Sequence, residues 1–309
     1  MFNILICVLI ITLVIVIVIS ALMVHLLSAR GAKVKAIFDG IEPNERDGII
    51  RDRKWQDRQW LLSRPFTEFS IKAFDGVDLK AKYVKALEAS DKCAICVHGF
   101  HSFGYKEFSS IGRFYLENGI NVLFVDQRGN GESGGKYITY GDREQKDVLM
   151  WLEYAINNLK ENTKFALHGI SMGSATVMLV SDRVDPQKVK FIACDCGYTV
   201  EKTQLIYTIK SMKLPAHFLY ALYYLGCNIM RLYNPGRIAP IESVRRAAVP
   251  MLFAHGKDDQ VVPVSMTYEL YDACPNEKKR IVVAKDANHT QAFYMSEDYG
   301  RALLELMNE

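Results

Sequence analysis

The chain has 309 residues and a formal net charge of +3. That length suits one α/β domain of roughly 250 residues with an appendage better than two equal domains. The near balance of charge offers no broad basic surface, so nucleic acid is not an expected partner. The seven cysteines form an odd, irregularly spaced set, with Cys93, Cys96, Cys194 and Cys196 inside apolar runs, which argues against a disulfide framework. Cys93 and Cys96 have CxxC spacing, but strand positions three apart point to opposite faces, so a shared metal is not expected.

Residues 2–27 are an almost unbroken apolar run, interrupted by Asn3, Thr12, Ser20 and His25. At about 1.5 Å per residue, such a run is long enough to cross a bilayer as a helix. It lacks the charged start and short apolar core of a secretory signal, so an uncleaved transmembrane anchor is expected over residues 1–29, with the lipid bilayer as its partner. His25 reads as an interfacial residue. Arg30, Lys33 and Lys35 follow the run, and the positive-inside bias then puts the large domain on the cytoplasmic side. Residues 30–66 read as a polar juxtamembrane linker. Within it, residues 51–62 carry Trp55 and Trp60 among arginines. They read either as a helix lying on the membrane surface or as a connecting helix that packs its tryptophans on the domain, the apolar positions forming no long stripe.

The main domain is expected over residues 67–309. Strand-like runs flank Asp75-Gly76, a hairpin signal. Residues 93–97 are a continuous apolar run typical of a buried parallel strand, ending in His98-Gly99-Phe100-His101. A helix is predicted over 106–118, stopping at Gly119, and a buried strand over 122–125, ending at Asp126. The glycine-rich loop 127–135 is no phosphate cradle, because no Gly-Lys-Ser/Thr follows and it does not open into a helix. An amphipathic helix at 142–159 precedes a strand at 165–167, a helix to about residue 181 and a strand at 191–194. The repeated alternation implies a mostly parallel sheet flanked by helices. From 197 to about 249 no strand is evident, and the aromatic patch 218–225 suggests a small helical lid. Its aromatics either line an apolar pocket or pack the lid on the core. Strand, helix, strand and helix then resume from 250 to 306.

Between the strand at 165–167 and its helix lies Gly169-Ile170-Ser171-Met172-Gly173, the Gly-x-Ser-x-Gly pattern of a nucleophile elbow. So tight a turn strains the serine and requires glycine where neighbouring backbone passes. A serine hydroxyl is a poor nucleophile at neutral pH and needs a base, itself oriented by a third group. Asp258 and Asp259, beyond the first strand after the lid, and His289, beyond the last strand, supply these groups. All lie at carboxyl ends of strands, where open α/β sheets bind ligands. His98, His168 and His255 precede glycine at strand ends and read as local packing; His217 lies in the lid and His101 flanks the pocket.

Together with His98-Gly99-Phe100, the 126–133 loop and residues 255–263, the elbow makes residues 68–306 resemble an α/β-hydrolase. The similarity is greatest to the branch of serine aminopeptidase-like, monoacylglycerol lipase-like and cinnamoyl esterase-like hydrolases with an amino-terminal membrane segment. The resemblance implies Ser171 as nucleophile and His289 as base. Its His-Gly-x-x-Asp spacing selects Asp259 over Asp258 as the acid, and its oxyanion hole maps to the backbone amides of Phe100 and Met172. It implies acyl transfer from a small-molecule carboxylic ester or other acyl substrate, with no metal or organic cofactor. A peptidase or amidase, an acyltransferase and a catalytically silent membrane-bound binding module stay open as alternatives.

Overall fold

The computed structural model describes residues 2–31 and 45–309; Lys33 and Lys35 lie outside the described residues. The apolar runs at 93–97, 122–125, 165–167 and 191–194 become adjacent central strands, since apolar side chains on both faces of a strand demand cover on both sides. In chain order the strands are β1 (Thr67–Lys72), β2 (Asp78–Val84), β3 (Lys92–Val97), β4 (Asn121–Asp126), β5 (Lys164–Ile170), β6 (Val189–Asp195), β7 (Met251–Gly256) and β8 (Arg280–Ala284). They form one sheet in the order β1-β2-β4-β3-β5-β6-β7-β8. Within this sheet β1 with β2 and β2 with β4 run antiparallel, and the other neighbours run parallel. Asp75-Gly76 turns the first hairpin, with Gly76 at φ +82° and Ala73 N–H donating to Val77 O at 2.8 Å.

The helices are α1 (Phe2–Ser28), α2 (Glu45–Leu62), α3 (Gly104–Glu107), α4 (Ser109–Glu117), α5 (Glu144–Asn158), α6 (Met172–Met178), α7 (Glu201–Ser211), α8 (Ala216–Ile229), α9 (Pro240–Val244), α10 (Val264–Ala273), α11 (Ala292–Met295) and α12 (Glu297–Asn308). One core lies between the sheet and α5, α6, α9 and α10, around Trp151 and Phe165; the other lies under α4 and α12, around Phe108, Tyr115 and Tyr299. Cys93 packs in the first and Cys96 in the second, so the two thiols do face opposite sides of the sheet. The helix predicted over 106–118 is two helices, α3 and α4, separated at Phe108, whose side chain is fully buried. After α6 the chain tightens, with Val180 and Ser181 N–H bonding three residues back, so the helix ends at Met178 rather than near residue 181.

The 197–249 stretch forms α7, α8 and α9 between β6 and β7. Against it lies α1, which is long and apolar enough to cross a membrane. Its first two thirds are bare, but from Ser20 onward it packs on α8 so closely that a Cβ on Gly226 would stand 2.4 Å from Ser20 O. Ser28 Oγ and Tyr223 Oη share a hydrogen bond of 2.7 Å, and Ile138 N–H donates to Ser28 O at 2.7 Å. Beyond the helix, the Arg30 guanidinium donates to Ser133 O at 2.5 Å and Gly131 O at 2.7 Å. In α2 the two tryptophans part company. Trp60 sits between the guanidiniums of Arg64 and Arg113, at 4.4 and 5.0 Å from its ring, whereas Trp55 is exposed.

Candidate active site

Ser171 stands between β5 and α6 at φ 55°, ψ −118°, a region that costs a non-glycine residue about 1–3 kcal/mol. The flanking glycines explain how the turn closes. A Cβ on Gly169 would come within 2.2 Å of Gly173 O, and one on Gly173 within 1.9 Å of Val97 O. Ser171 N–H donates to Asp195 O at 2.8 Å, which ties the turn to the end of β6.

The structure brings Ser171, His289 and Asp259 together. His289 Nε2 lies 3.0 Å from Ser171 Oγ and His289 Nδ1 lies 2.7 Å from Asp259 Oδ2. The acceptors assign the tautomer: Nδ1–H donates to the carboxylate, leaving Nε2 to accept the serine proton. Asp259 Oδ1 accepts from Val261 N–H at 2.8 Å and Val262 N–H at 2.9 Å. Asp258, by contrast, is exposed, its N–H bonded to Ala287 O at 2.9 Å. Burial alone would raise the Asp259 carboxyl, but His289 and His255 outweigh it and hold the group well below the usual carboxylate range. Burial likewise pushes His289 down, while the charge and hydrogen bond of Asp259, helped by Asp195 and Glu107, overcome it and leave the imidazole raised. A base stronger than ordinary histidine, beside a strained serine, is the arrangement that activates a hydroxyl for attack.

The two amides expected as an oxyanion hole flank this serine. Met172 N–H opens α6, and Phe100 follows Gly99, whose Cα sits so close that an added Cβ would be 3.2 Å from Ser171 Cβ. Among the described residues, neither amide donates to a protein acceptor. Glu107, which carries no motif, accepts a short hydrogen bond from Gly99 N–H and so holds the His98–Gly99 peptide, one residue before the Phe100 amide. Sequence reasoning missed it because an acid eight residues past His-Gly has no pattern to mark it.

Three histidines read as local packing do pack. His98 donates from Nδ1 to Gly99 O at 2.7 Å and accepts from Gln127 N–H at 2.9 Å. His168 lies between the hydroxyls of Tyr115 and Tyr299, each at 2.9 Å, and burial lowers it to about 3. His255 does more than pack, because its Nε2 also reaches Asp259 Oδ2 at 3.0 Å. Asp195, at the end of β6, is also buried close to His289 and pushed up to about 6 by that burial. Among the described residues, Cys196, Asp259 and His289 could group around a metal ion, their donor atoms lying within 4.8 Å of one another. Burial pushes the Cys196 thiol far up, so it holds its proton, and the other two donors are already bonded to each other. The set is better suited to moving a proton than to holding a cation.

A cavity of about 240 Å³ adjoins Ser171 and Met172. Leu205 and Leu219 of the lid form part of its wall, as does Phe100, whose ring stacks on Tyr140 at 5.5 Å. Of the aromatic patch at 218–225, Phe218 faces outward, whereas Tyr220 and Tyr223 pack inward. Tyr233 Oη donates to Glu201 Oε1 at 2.9 Å, Tyr220 Oη to Oε2 at 3.3 Å and Gly236 N–H to Oε2 at 3.2 Å. Met23, Leu26 and Leu27 of α1 complete the wall, a contribution the sequence did not suggest.

The sequence pattern of the prolyl oligopeptidase family matches residues 106–307, well over half of the chain. The chain belongs to the prolyl oligopeptidase family. Within this family setting it is similar to the Bacillus subtilis protein YqkD, 28% identical over 234 residues and 74% of each chain. It is also similar to the Saccharomyces cerevisiae membrane protein YNL320W, 24% identical over 70% of this chain and 71% of that one. Among solved structures, the Pyrococcus furiosus esterase Pf2001 superposes with a TM-score of 0.66 at 24% identity, over 81% of this chain and 92% of that one. Est1E of Butyrivibrio proteoclasticus, solved with ferulic acid, does so with a TM-score of 0.57 at 18% identity, over 78% and 100%. The fold is that of an α/β-hydrolase, as the motifs implied, and family and fold together place the chain among hydrolases.

Proposed function

We propose that this family member is a membrane-anchored serine hydrolase that cleaves carboxylic esters through an acyl-enzyme. The observation that carries the reading is the hydrogen-bonded chain from Ser171 Oγ through His289 to Asp259, at 3.0 and 2.7 Å, with the serine at φ 55°. Ser171 Oγ attacks the ester carbonyl carbon as His289 Nε2 takes its proton. The amides of Phe100 and Met172 stabilise the tetrahedral oxyanion, one such donor being worth about 10² to 10³ in rate. Collapse breaks the bond to the alcohol, which leaves with the proton from His289. Water, deprotonated by the same imidazole, then releases the carboxylic acid and restores Ser171. The chain's own residues suffice for every step.

The wall of the cavity favours an apolar acyl group, and two structural neighbours carry the name esterase. The family's name favours a second reading, a peptidase or amidase, in which the same residues attack an amide. Anchoring draws support from α1, whose large side chains from Ile4 to Ile19 stand exposed with the exception of Val16, an apolar surface that water does not favour and a bilayer would cover. The hydrolase unit would then span residues 67–309 on the cytoplasmic side, which protease accessibility in intact cells tests.

A fluorophosphonate probe tests the chemistry: the wild-type chain is expected to label and Ser171→Ala is not. Equal labelling of the two would sink the reading. Across p-nitrophenyl esters and aminoacyl amides, a higher kcat/KM for the amides would overturn the ester assignment in favour of the peptidase one.

A further inference from the structure

We infer that α1 is part of the substrate site, so that the acyl chain of a bilayer-resident ester lies against Met23, Leu26 and Leu27 while Ser171 attacks its carbonyl. The inference rests on the serine hydrolase reading above and goes beyond it by naming where the substrate comes from and what holds it.

Three observations converge. The first is the mouth of the cavity. Of the residues that line it, only Leu26 and Leu214 are exposed, at 42% and 48%. The opening is therefore rimmed by leucine, one from α1 and one from the lid, while the polar lining residues Glu201, Gln204 and Thr208 are buried. The second is depth. The 27 residues of α1 span roughly 40 Å as a helix, whereas the hydrocarbon core of a bilayer is about 30 Å thick. Some seven residues, roughly a quarter of the helix, are thus left over at the domain end, where α1 packs on α8. The segment that lines the cavity, Met23 to Leu27, falls there, level with the boundary between hydrocarbon and headgroups. Phe218 and Leu225 of α8, the helix packed against α1, are exposed as well.

The third observation is that α1 is built into the lid rather than tethered to it. A chain of hydrogen bonds runs from Ser28 Oγ to Tyr223 Oη at 2.7 Å, on to Tyr233 Oη at 2.6 Å, and from there to Glu201 Oε1 at 2.9 Å. Tyr140 Oη donates to Leu27 O at 2.5 Å, holding the turn of helix that forms the cavity wall. A helix needed only for anchoring has no reason to be registered so closely against the lid. Here the register puts Met23 and Leu27 in the same cavity as Ser171 and Met172. A single-chain or neutral acyl ester dissolved in the leaflet can slide its chain between Leu26 and Leu214 without crossing water. Its carbonyl then meets the elbow and its alcohol leaves toward the polar side.

The test uses the full chain in phosphatidylcholine nanodiscs, with active sites counted by fluorophosphonate so that misfolded protein does not enter the rates. The readout is the ratio of kcat/KM for p-nitrophenyl palmitate to that for p-nitrophenyl butyrate. Met23→Trp and Leu27→Trp, which fill the wall, are expected to lower that ratio by about tenfold or more, since one methylene in an apolar pocket already shifts selectivity by about tenfold. Met23→Ala is expected to raise it, and Leu13→Trp, on the bare part of α1, to leave it as in the wild type. If both tryptophan variants keep the wild-type ratio while still labelling at Ser171, the inference is overturned and the hydrolase reading stands. If the wild-type chain takes up no fluorophosphonate, the hydrolase reading fails and carries this one with it.

Discussion

His255 Nε2 stands 3.0 Å from Asp259 Oδ2, the same carboxylate oxygen that accepts from His289 Nδ1 at 2.7 Å. His255 is itself oriented by Thr267 Oγ1 at 2.6 Å from its Nδ1. With the two amides on Oδ1, the carboxylate has donors on both oxygens, so it neither rotates nor takes up a proton easily. His255 therefore acts as a positioning residue for the acid. His255→Phe keeps the ring shape and removes the donor. We expect kcat to fall about tenfold with KM little changed, in line with the loss of one hydrogen bond to a charged group. Because Asp259 would become more basic, the acid limb of the pH profile should also move upward. His255→Gln should restore part of the rate. A variant with unchanged kcat and an unmoved limb would show that His255 only fills space.

The raised pKa of His289 makes a separate prediction about pH. The base must be neutral to accept the serine proton, so activity is present above the imidazole pKa and is lost as pH falls through it. Because Asp259 raises that value above the ordinary 6.5, the midpoint of kcat/KM against pH should lie above 6.5. Asp259→Asn removes the charge and favours the wrong tautomer, with an expected loss on the order of 10⁴ in kcat. A midpoint below that of free histidine in the wild-type chain would contradict the electrostatics. Asp258→Asn, at an exposed position, is the comparison that should leave the profile in place.

What could be read from the sequence was whatever local geometry dictates. The elbow was legible because Gly169 and Gly173 leave no room for a Cβ, and a turn with that requirement has few sequence solutions. The central strands were legible because burial on both faces writes a continuous apolar run, as in β3 and β4. Glu107 and His255 were not, since each acquires its role through a neighbour brought close only by the sheet, Gly99 in one case and Asp259 in the other. The place of α1 in the cavity was hidden for a different reason. A helix that is apolar all round has no stripe to show which side will be covered, so Met23 and Leu27 look like Leu13. Trp55 and Trp60, five residues apart in α2, similarly gave no sign that only one would be packed.

The loop after β4 makes a stability prediction. Arg128 is 2% exposed and donates to both oxygens of Asp147, at 2.6 and 2.7 Å, and to Asp75 at 2.7 Å. This guanidinium pins the glycine-rich stretch that carries Gly131 and Ser133, the acceptors of Arg30. Removing one partner of a buried pair leaves the other charge uncompensated, at a cost of about 3–5 kcal/mol. Arg128→Met should therefore lower the urea midpoint sharply, and adding Asp147→Leu should recover part of the loss, because an apolar replacement of both partners is far better tolerated. A single variant within about 0.5 kcal/mol of wild type would refute this account of the loop.

The Glu201 carboxyl is buried among Tyr220, Tyr233 and the Gly236 amide, with Tyr140, Tyr198 and Cys227 nearby. Burial pushes it up to about 7, against those hydrogen bonds. Its ordinary value in an unfolded chain is near 4.5. Below pH 4.5 both states hold the proton and the contribution to stability is complete. Between 4.5 and about 7 the unfolded chain ionises while the folded one does not, so stability falls as pH rises through this window. The gap corresponds to about 3 kcal/mol. Asp147 and Asp195, each raised by burial to about 6, titrate in the same direction, so the informative quantity is a comparison between proteins. Glu201→Gln keeps an acceptor for Tyr233 and cannot ionise. Melted in detergent at pH 5 and pH 8, the wild-type chain should lose about 6 °C more than the glutamine variant across that step, at about 2–4 °C per kcal/mol. Equal losses would mean that Glu201 is already charged in the folded lid. The same comparison carries a structural readout: ionisation places a charge at the end of the Ser28–Tyr223–Tyr233 chain, so amide protection in α7 and α8, taken relative to the intrinsic exchange rate at each pH, should fall at pH 8 in the wild type alone.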